Sequence, residues 1–183
     1  MATSTPPASP LAFQATTTPG PSLALSGPAA TPTASLSLSV RPLTDTYCSE
    51  ITLTLPPATT PATVRGIQAS VNGVGSTRGG GWDVHPLNPA PDGSITFVFT
   101  PYNTILLTPP PPASKPSRGL PPDTTPLTFT LTNIPTHTIP PTATITTHTT
   151  PPPATDTTTH TETHTTTIPI TTTPPGSNTP TTR

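Results

Sequence analysis

Thirty-three of the 183 residues are proline, and their scatter leaves hardly any window long enough for three turns of helix. Inside a helix each proline removes a backbone donor, clashes with the preceding turn and costs about 3 kcal/mol. Threonine, which suits a pleated surface, is abundant, while glutamate and lysine are scarce. The chain is therefore read as all-β.

Where the strands lie follows from alternation. Leu36, Leu38 and Val40 alternate with Ser35, Ser37 and Ser39. Ile51, Leu53 and Leu55 alternate with Thr52 and Thr54, and Leu127, Phe129 and Leu131 with Thr128, Thr130 and Thr132. Successive side chains on a strand face opposite sides, so each segment buries one face and wets the other. Nine short candidates bounded by Pro, Gly, Asn or Asp emerge: Leu11–Thr16, Ser22–Ser26, Ala34–Arg41, Glu50–Leu55, Gly66–Val71, Trp82–His85, Ser94–Thr100, Thr104–Thr108 and Leu127–Ile134. Thr142–Thr147 is a tenth that would close the domain. Strands at such spacing describe a two-sheet sandwich. Leu38, Ile51, Leu53, Phe97, Phe99, Phe129 and Leu131 are its expected core.

From Thr147 onward the chain keeps its threonine and proline but has almost nothing apolar to bury. Three parts result: a disordered N-terminus at 1–9, a β-sandwich at 10–148, and a disordered Thr/Pro/His-rich, mucin-like tail at 149–183. Ordering such a tail would cost about 1–2 kcal/mol per residue without compensating burial.

Only 7% of residues are charged, and six basic side chains nearly cancel seven acidic ones. Such a chain has no field to draw in nucleic acid, and aromatic residues at 4% are too few for stacking platforms. A single cysteine, Cys48, excludes an intramolecular disulfide and is read as a small buried core residue. Met1–Gly20 lacks the basic and apolar regions of a secretory signal, and no apolar run is long enough to span a membrane. The default compartment is the cytoplasm, with the cell surface or secretion by another route as the alternative. The expected state is monomeric.

Two loops were candidates for ligand chemistry. Asn72–Gly81 is glycine-rich but lacks the Gly-Lys-Ser/Thr ending of a phosphate loop, so it reads as a flexible connector. Pro109–Pro122 reads as a stiff polyproline surface loop.

Gly81-Trp82, then Asp92–Pro101 (DGSITFVFTP), then Pro126–Thr146 (PLTFTLTNIPTHTIPPTATIT) resemble a group of uncharacterised bacterial proteins that open with an immunoglobulin-like β-sandwich. Leu127, Phe129, Leu131, Ile134 and Pro135 carry the final element of that pattern. Pro141-Thr142-Ala143 stands where the pattern has Gly-Thr-Ala, which alters the turn. The resemblance spans about half the chain and implies an Ig-like fold; it brings no active site with it.

Local constellations are few. Asp83 and His85 share one face of a strand, opposite Trp82 and Val84, and read as a solvated pair. His160, Glu162 and His164 fall on one side of an extended chain, with His148 within reach, and are the candidate metal ligands. They lack the spacing of the helical metalloprotease motif, and a mobile tail would bind weakly. Trp82 reads as a core tryptophan; exposed, with Tyr102 or Tyr47, it would form a sugar-stacking face. The resulting expectation is a non-enzymatic binding or structural module with a spacer tail, no cofactor, and an unidentified protein or glycan partner. The alternative is a carbohydrate-binding module built on Trp82 and those tyrosines.

Overall fold

The computed structural model describes residues 8–19, 33–57, 67–72, 81–87, 89–109, 127–135, 139–152 and 160–173. Candidate strand Ser22–Ser26 and most of both candidate loops lie outside these residues. Within them the protein is all-β, 72% strand with no helix. The strands are β1 (Leu11–Pro19), β2 (Thr33–Pro42), β3 (Thr46–Leu55), β4 (Gln68–Asn72), β5 (Trp82–Pro86), β6 (Ile95–Pro101), β7 (Ile105–Leu107), β8 (Leu127–Pro135), β9 (Thr142–Thr150) and β10 (Glu162–Thr172).

All ten belong to one nearly closed sheet, in the order β4-β8-β2-β1-β10-β9-β3-β6-β5, with β7 continuing along β3 beyond β6. The two separate sheets expected from the spacing are thus joined by backbone pairing. The seam is short and parallel: Ala15–Thr17 of β1 against Ile170–Thr172 of β10. Closure answers a difficulty posed by the composition. Wet faces of serine and threonine carry few charges to guard strand edges, and a sheet wrapped on itself leaves fewer edges to guard.

Alternation dictates the interior. On β2, Ala34, Leu36, Leu38 and Val40 are buried, and on β6, Ile95, Phe97 and Phe99. Leu127, Phe129, Leu131 and Ile134 of β8 complete a core with Ile51, Leu53 and Leu55 of β3 and Ile145 of β9. Phe129 sits at its centre, its ring centroid 4.5 Å from that of Phe99 and 5.0 Å from that of Trp82. All seven expected core residues are buried.

Two local irregularities serve the register. In β8, Asn133 takes a left-handed conformation (φ 61) where the pairing with β2 shifts between Ala34 and Leu36. Asparagine tolerates that region better than bulkier residues, so the strand bends there without losing its inward Ile134. The turn between β5 and β6 needs Gly93 at φ 85. The Ser94 backbone N–H and hydroxyl both donate to Asp92 Oδ1, at 2.9 and 2.7 Å, which holds the Asp92 carboxyl below its ordinary pKa.

The expected disordered tail requires correction. Glu162–Thr172 is the longest strand of the described fold, antiparallel to β9 along Glu162–Pro169 and parallel to β1 at its end. Counting apolar residues missed it because Ile168 and Ile170 are its only ones. Its stability comes from backbone ladders on β9 and β1 and from cross-strand threonine pairs. Thr144–Thr167, Thr146–Thr165 and Thr150–Thr161 hydroxyls lie 3.4, 3.1 and 3.3 Å apart. Each such pair contributes roughly 0.2–1 kcal/mol. The sheet therefore extends past the expected boundary at 148. Residues 153–159 and 174–183 lie outside those described.

Candidate functional site

The outer face of the run β10-β9-β3-β6-β5 is a lattice of hydroxyls. One row across it is Thr165, Thr146, Thr52, Val98 and His85; the next is Thr167, Thr144, Thr54 and Thr96. Two groups of titratable side chains interrupt the threonines. On β5, His85 Nε2 lies 2.9 Å from Asp83 Oδ2, both well exposed, as a solvated pair should be.

The second group is built by a bulge. Between Cys48 and Glu50 the register of β3 against β9 shifts, so Ser49 and Glu50 together oppose His148. One extra residue lets Cys48 and Ile51 both face the core while Glu50 is aimed at the outer face. Ser49 Oγ donates to the His148 carbonyl at 3.2 Å and pins the bulge. Glu50 Oε1 then accepts from Thr52 Oγ1 at 3.2 Å and lies 3.5 Å from His148 Nε2. On the other side of the imidazole, His148 Nδ1 is 3.1 Å from Thr163 Oγ1 of β10. Carboxylate, imidazole and hydroxyl form one line across three neighbouring strands.

Sequence reasoning missed this row because Thr163 was assigned to the tail. One signal was present: Thr161, Thr163 and Thr165 alternate with Glu162 and His164, a period of two.

Of the candidate metal ligands, the structure pairs Glu162 with His164 and leaves His160 apart from them. His160 turns its Nδ1 to the Thr161 carbonyl, 2.8 Å away. Glu162 and His164 pair at 3.2 Å on the inward side of β10, His164 with a side chain only 10% exposed. His148 lies on the opposite face. Among the described residues, no three His, Cys, Asp or Glu side chains are grouped to hold a metal ion.

Trp82, Tyr102 and Tyr47 do not share a face. Trp82 is half-buried and meets Phe129 edge-on, at an interplanar angle of 83°, and its indole Nε1 is buried without a partner. Tyr102 follows β6 and is 67% exposed. Its ring occupies the space a Cβ at residue 81 would need, so a side chain there would have to displace this exposed ring. Tyr47 is half-buried on β3 opposite Leu106 and Thr150, and it points outward because its neighbours Thr46 and Cys48 point in.

Cys48 is fully buried, and burial pushes its thiol up to about 12, with the nearby Glu50 charge adding to the rise. The thiolate is the reactive form. Folded protein should therefore resist a thiol-specific disulfide reagent at neutral pH, and one equivalent should react once denaturant is added. Prompt modification of the native chain would contradict this burial.

No protein-family model matches the chain, and no curated protein matches its sequence. No helix among the described residues is long and apolar enough to cross a membrane.

Proposed function

We propose that this chain is a non-enzymatic binding module of Ig-like β-sandwich type. The strand order supports that fold. Two layers, β4-β8-β2-β1 and β10-β9-β3-β6-β5, face one another across the apolar core and meet at a three-residue parallel seam. First and last strands meeting in parallel, with antiparallel neighbours elsewhere, suit an immunoglobulin-like arrangement.

One observation carries the binding function: the broad outer face of β10, β9, β3 and β6, with its rows of threonine hydroxyls. Hydroxyls can both donate and accept, and their methyl groups offer apolar contact at little desolvation cost. A polar, uncharged partner such as a glycan or a hydroxyl-rich protein surface suits such a face. Trp82 and Tyr47, on opposite sides of the sheet, leave the aromatic stacking alternative with less support.

Full-length protein presented to an immobilised glycan panel tests the reading. Thr52→Lys and Thr146→Glu change opposing residues on this face and should each weaken capture at least about tenfold. Melting temperature should fall by no more than about 8 °C, because each variant gives up one hydroxyl contact worth roughly 0.2–1 kcal/mol. Capture unaffected by either variant would place the binding surface elsewhere.

A further inference from the structure

We infer that Thr163 is a reactive hydroxyl: the acceptor of an activated acyl group, with His148 as its base and Glu50 positioning that base. This is a site of single modification, distinct from the binding reading above.

The argument begins with tautomers. His148 Nε2 lies 3.5 Å from Glu50 Oε1, and the carboxylate's charge favours the tautomer with the proton on Nε2. Nδ1 is then a lone pair, and the Thr163 hydroxyl donates to it across 3.1 Å. A hydroxyl within reach of a base that is itself oriented by a third group is the arrangement that activates weak nucleophiles. Glu50 is in turn fixed by the Thr52 hydroxyl. His148 and Glu50 side chains are 37% and 36% exposed, so the pair is partly shielded yet open to a reagent.

Neighbouring threonines supply the contrast. Thr161, Thr165 and Thr167 flank Thr163 on the same strand face, and their hydroxyls pair with other threonine hydroxyls, which are poor bases. The other titratable groups on and just before β10 do not compete: Glu162 and His164 face the opposite side, and His160, ahead of the strand, is turned to a carbonyl.

In the reaction, Thr163 Oγ1 attacks the acyl carbon as its proton passes to His148 Nδ1, and Glu50 stabilises the imidazolium. The tetrahedral adduct collapses as the bond to the leaving oxygen breaks. That oxygen keeps the electron pair and takes the proton from His148. The products are an ester at Thr163, a neutral imidazole and the free leaving group as its conjugate acid. Alternate backbone N–H groups along this stretch of β10 are committed to the ladder with β9, so few are left to stabilise an oxyanion and the donor must bring a good leaving group. Aryl esters are the fitting class.

The test uses the full chain and p-nitrophenyl acetate, following p-nitrophenolate release and locating the acetyl group by tandem mass spectrometry. One acetyl group on Thr163 is expected. Thr163→Val should abolish it, and Thr165→Val should leave it unchanged. His148→Ala should slow labelling by about 100-fold, the lower range for a general base, with recovery on adding free imidazole. Glu50→Gln should slow it, with Glu50→Asp recovering part of the loss. Trp82 fluorescence reports whether each variant is folded. Acetyl groups spread over several threonines, acetylation retained on His148 itself, or release unaffected by Thr163→Val would each overturn the assignment. Equal losses in Glu50→Gln and Glu50→Asp would remove Glu50 from it.

Discussion

Truncation after Thr161 should abolish cooperative folding, although it deletes only residues that read as low-complexity tail. The loss can be sized. β10 makes eight residue pairs with β9 and three with β1. An intramolecular hydrogen bond contributes a net of about 0.5–1.5 kcal/mol, so some eight lost ladder bonds amount to roughly 4–12 kcal/mol. Removing the strand also uncovers Ala143, Ile145 and Thr147, all fully buried, and opens the only join between the two halves of the sheet among the described residues. A domain of this size has about 5–15 kcal/mol of total stability, so the deletion consumes most or all of it. Near-ultraviolet circular dichroism and Trp82 fluorescence should show an unfolded or molten chain. Truncation after Thr173 keeps every described strand and should retain the melting transition. A truncation at Thr161 that melted like the full chain would show that β10 contributes nothing to the fold.

That expectation also marks where sequence reading ended. Strands β2, β3, β6 and β8 were legible because apolar and hydroxyl residues alternate along them, and the buried face follows from the alternation itself. In β10 the inward positions are Glu162, His164, Thr166, Ile168 and Ile170, which scarcely differ in hydropathy from the outward threonines until the last two. Its order depends on β1, some 150 residues earlier in the chain, whose contribution no local window contains. The hydroxyl–imidazole–carboxylate row was hidden for a related reason. Glu50 stood at the start of one expected strand and His148 just past the end of another, and only the bulge after Cys48 puts them opposite one another. Register across strands is a tertiary property, and a one-residue shift would have sent Glu50 toward the core.

Replacing Phe129 by alanine should be the most damaging single substitution. The ring is 1% exposed on β8, with Leu38 of β2 on one side and Val71 of β4 on the other in the register. It also bridges the two faces of the core, through Phe99 of β6 at 4.5 Å and Trp82 of β5 at 5.0 Å. Phenylalanine to alanine in a packed core costs about 3–5 kcal/mol, since the lost transfer energy is compounded by a cavity that neighbours only partly fill. Refilling is hard here because the surrounding side chains sit on paired strands and cannot approach without breaking register. For a domain of about 100–170 residues each kcal/mol lowers the melting temperature by about 2–8 °C, so the expected drop exceeds roughly 6 °C. Trp82 gives a second readout: losing its edge partner should change its emission even in protein that remains folded. Leu87→Ala, at a side chain 49% exposed, should shift stability by no more than about 0.5 kcal/mol and calibrates the measurement. Equal melting of the two variants would mean that the aromatic cluster is not the centre of the core, and that the sheet is held by its backbone ladders and threonine pairs alone.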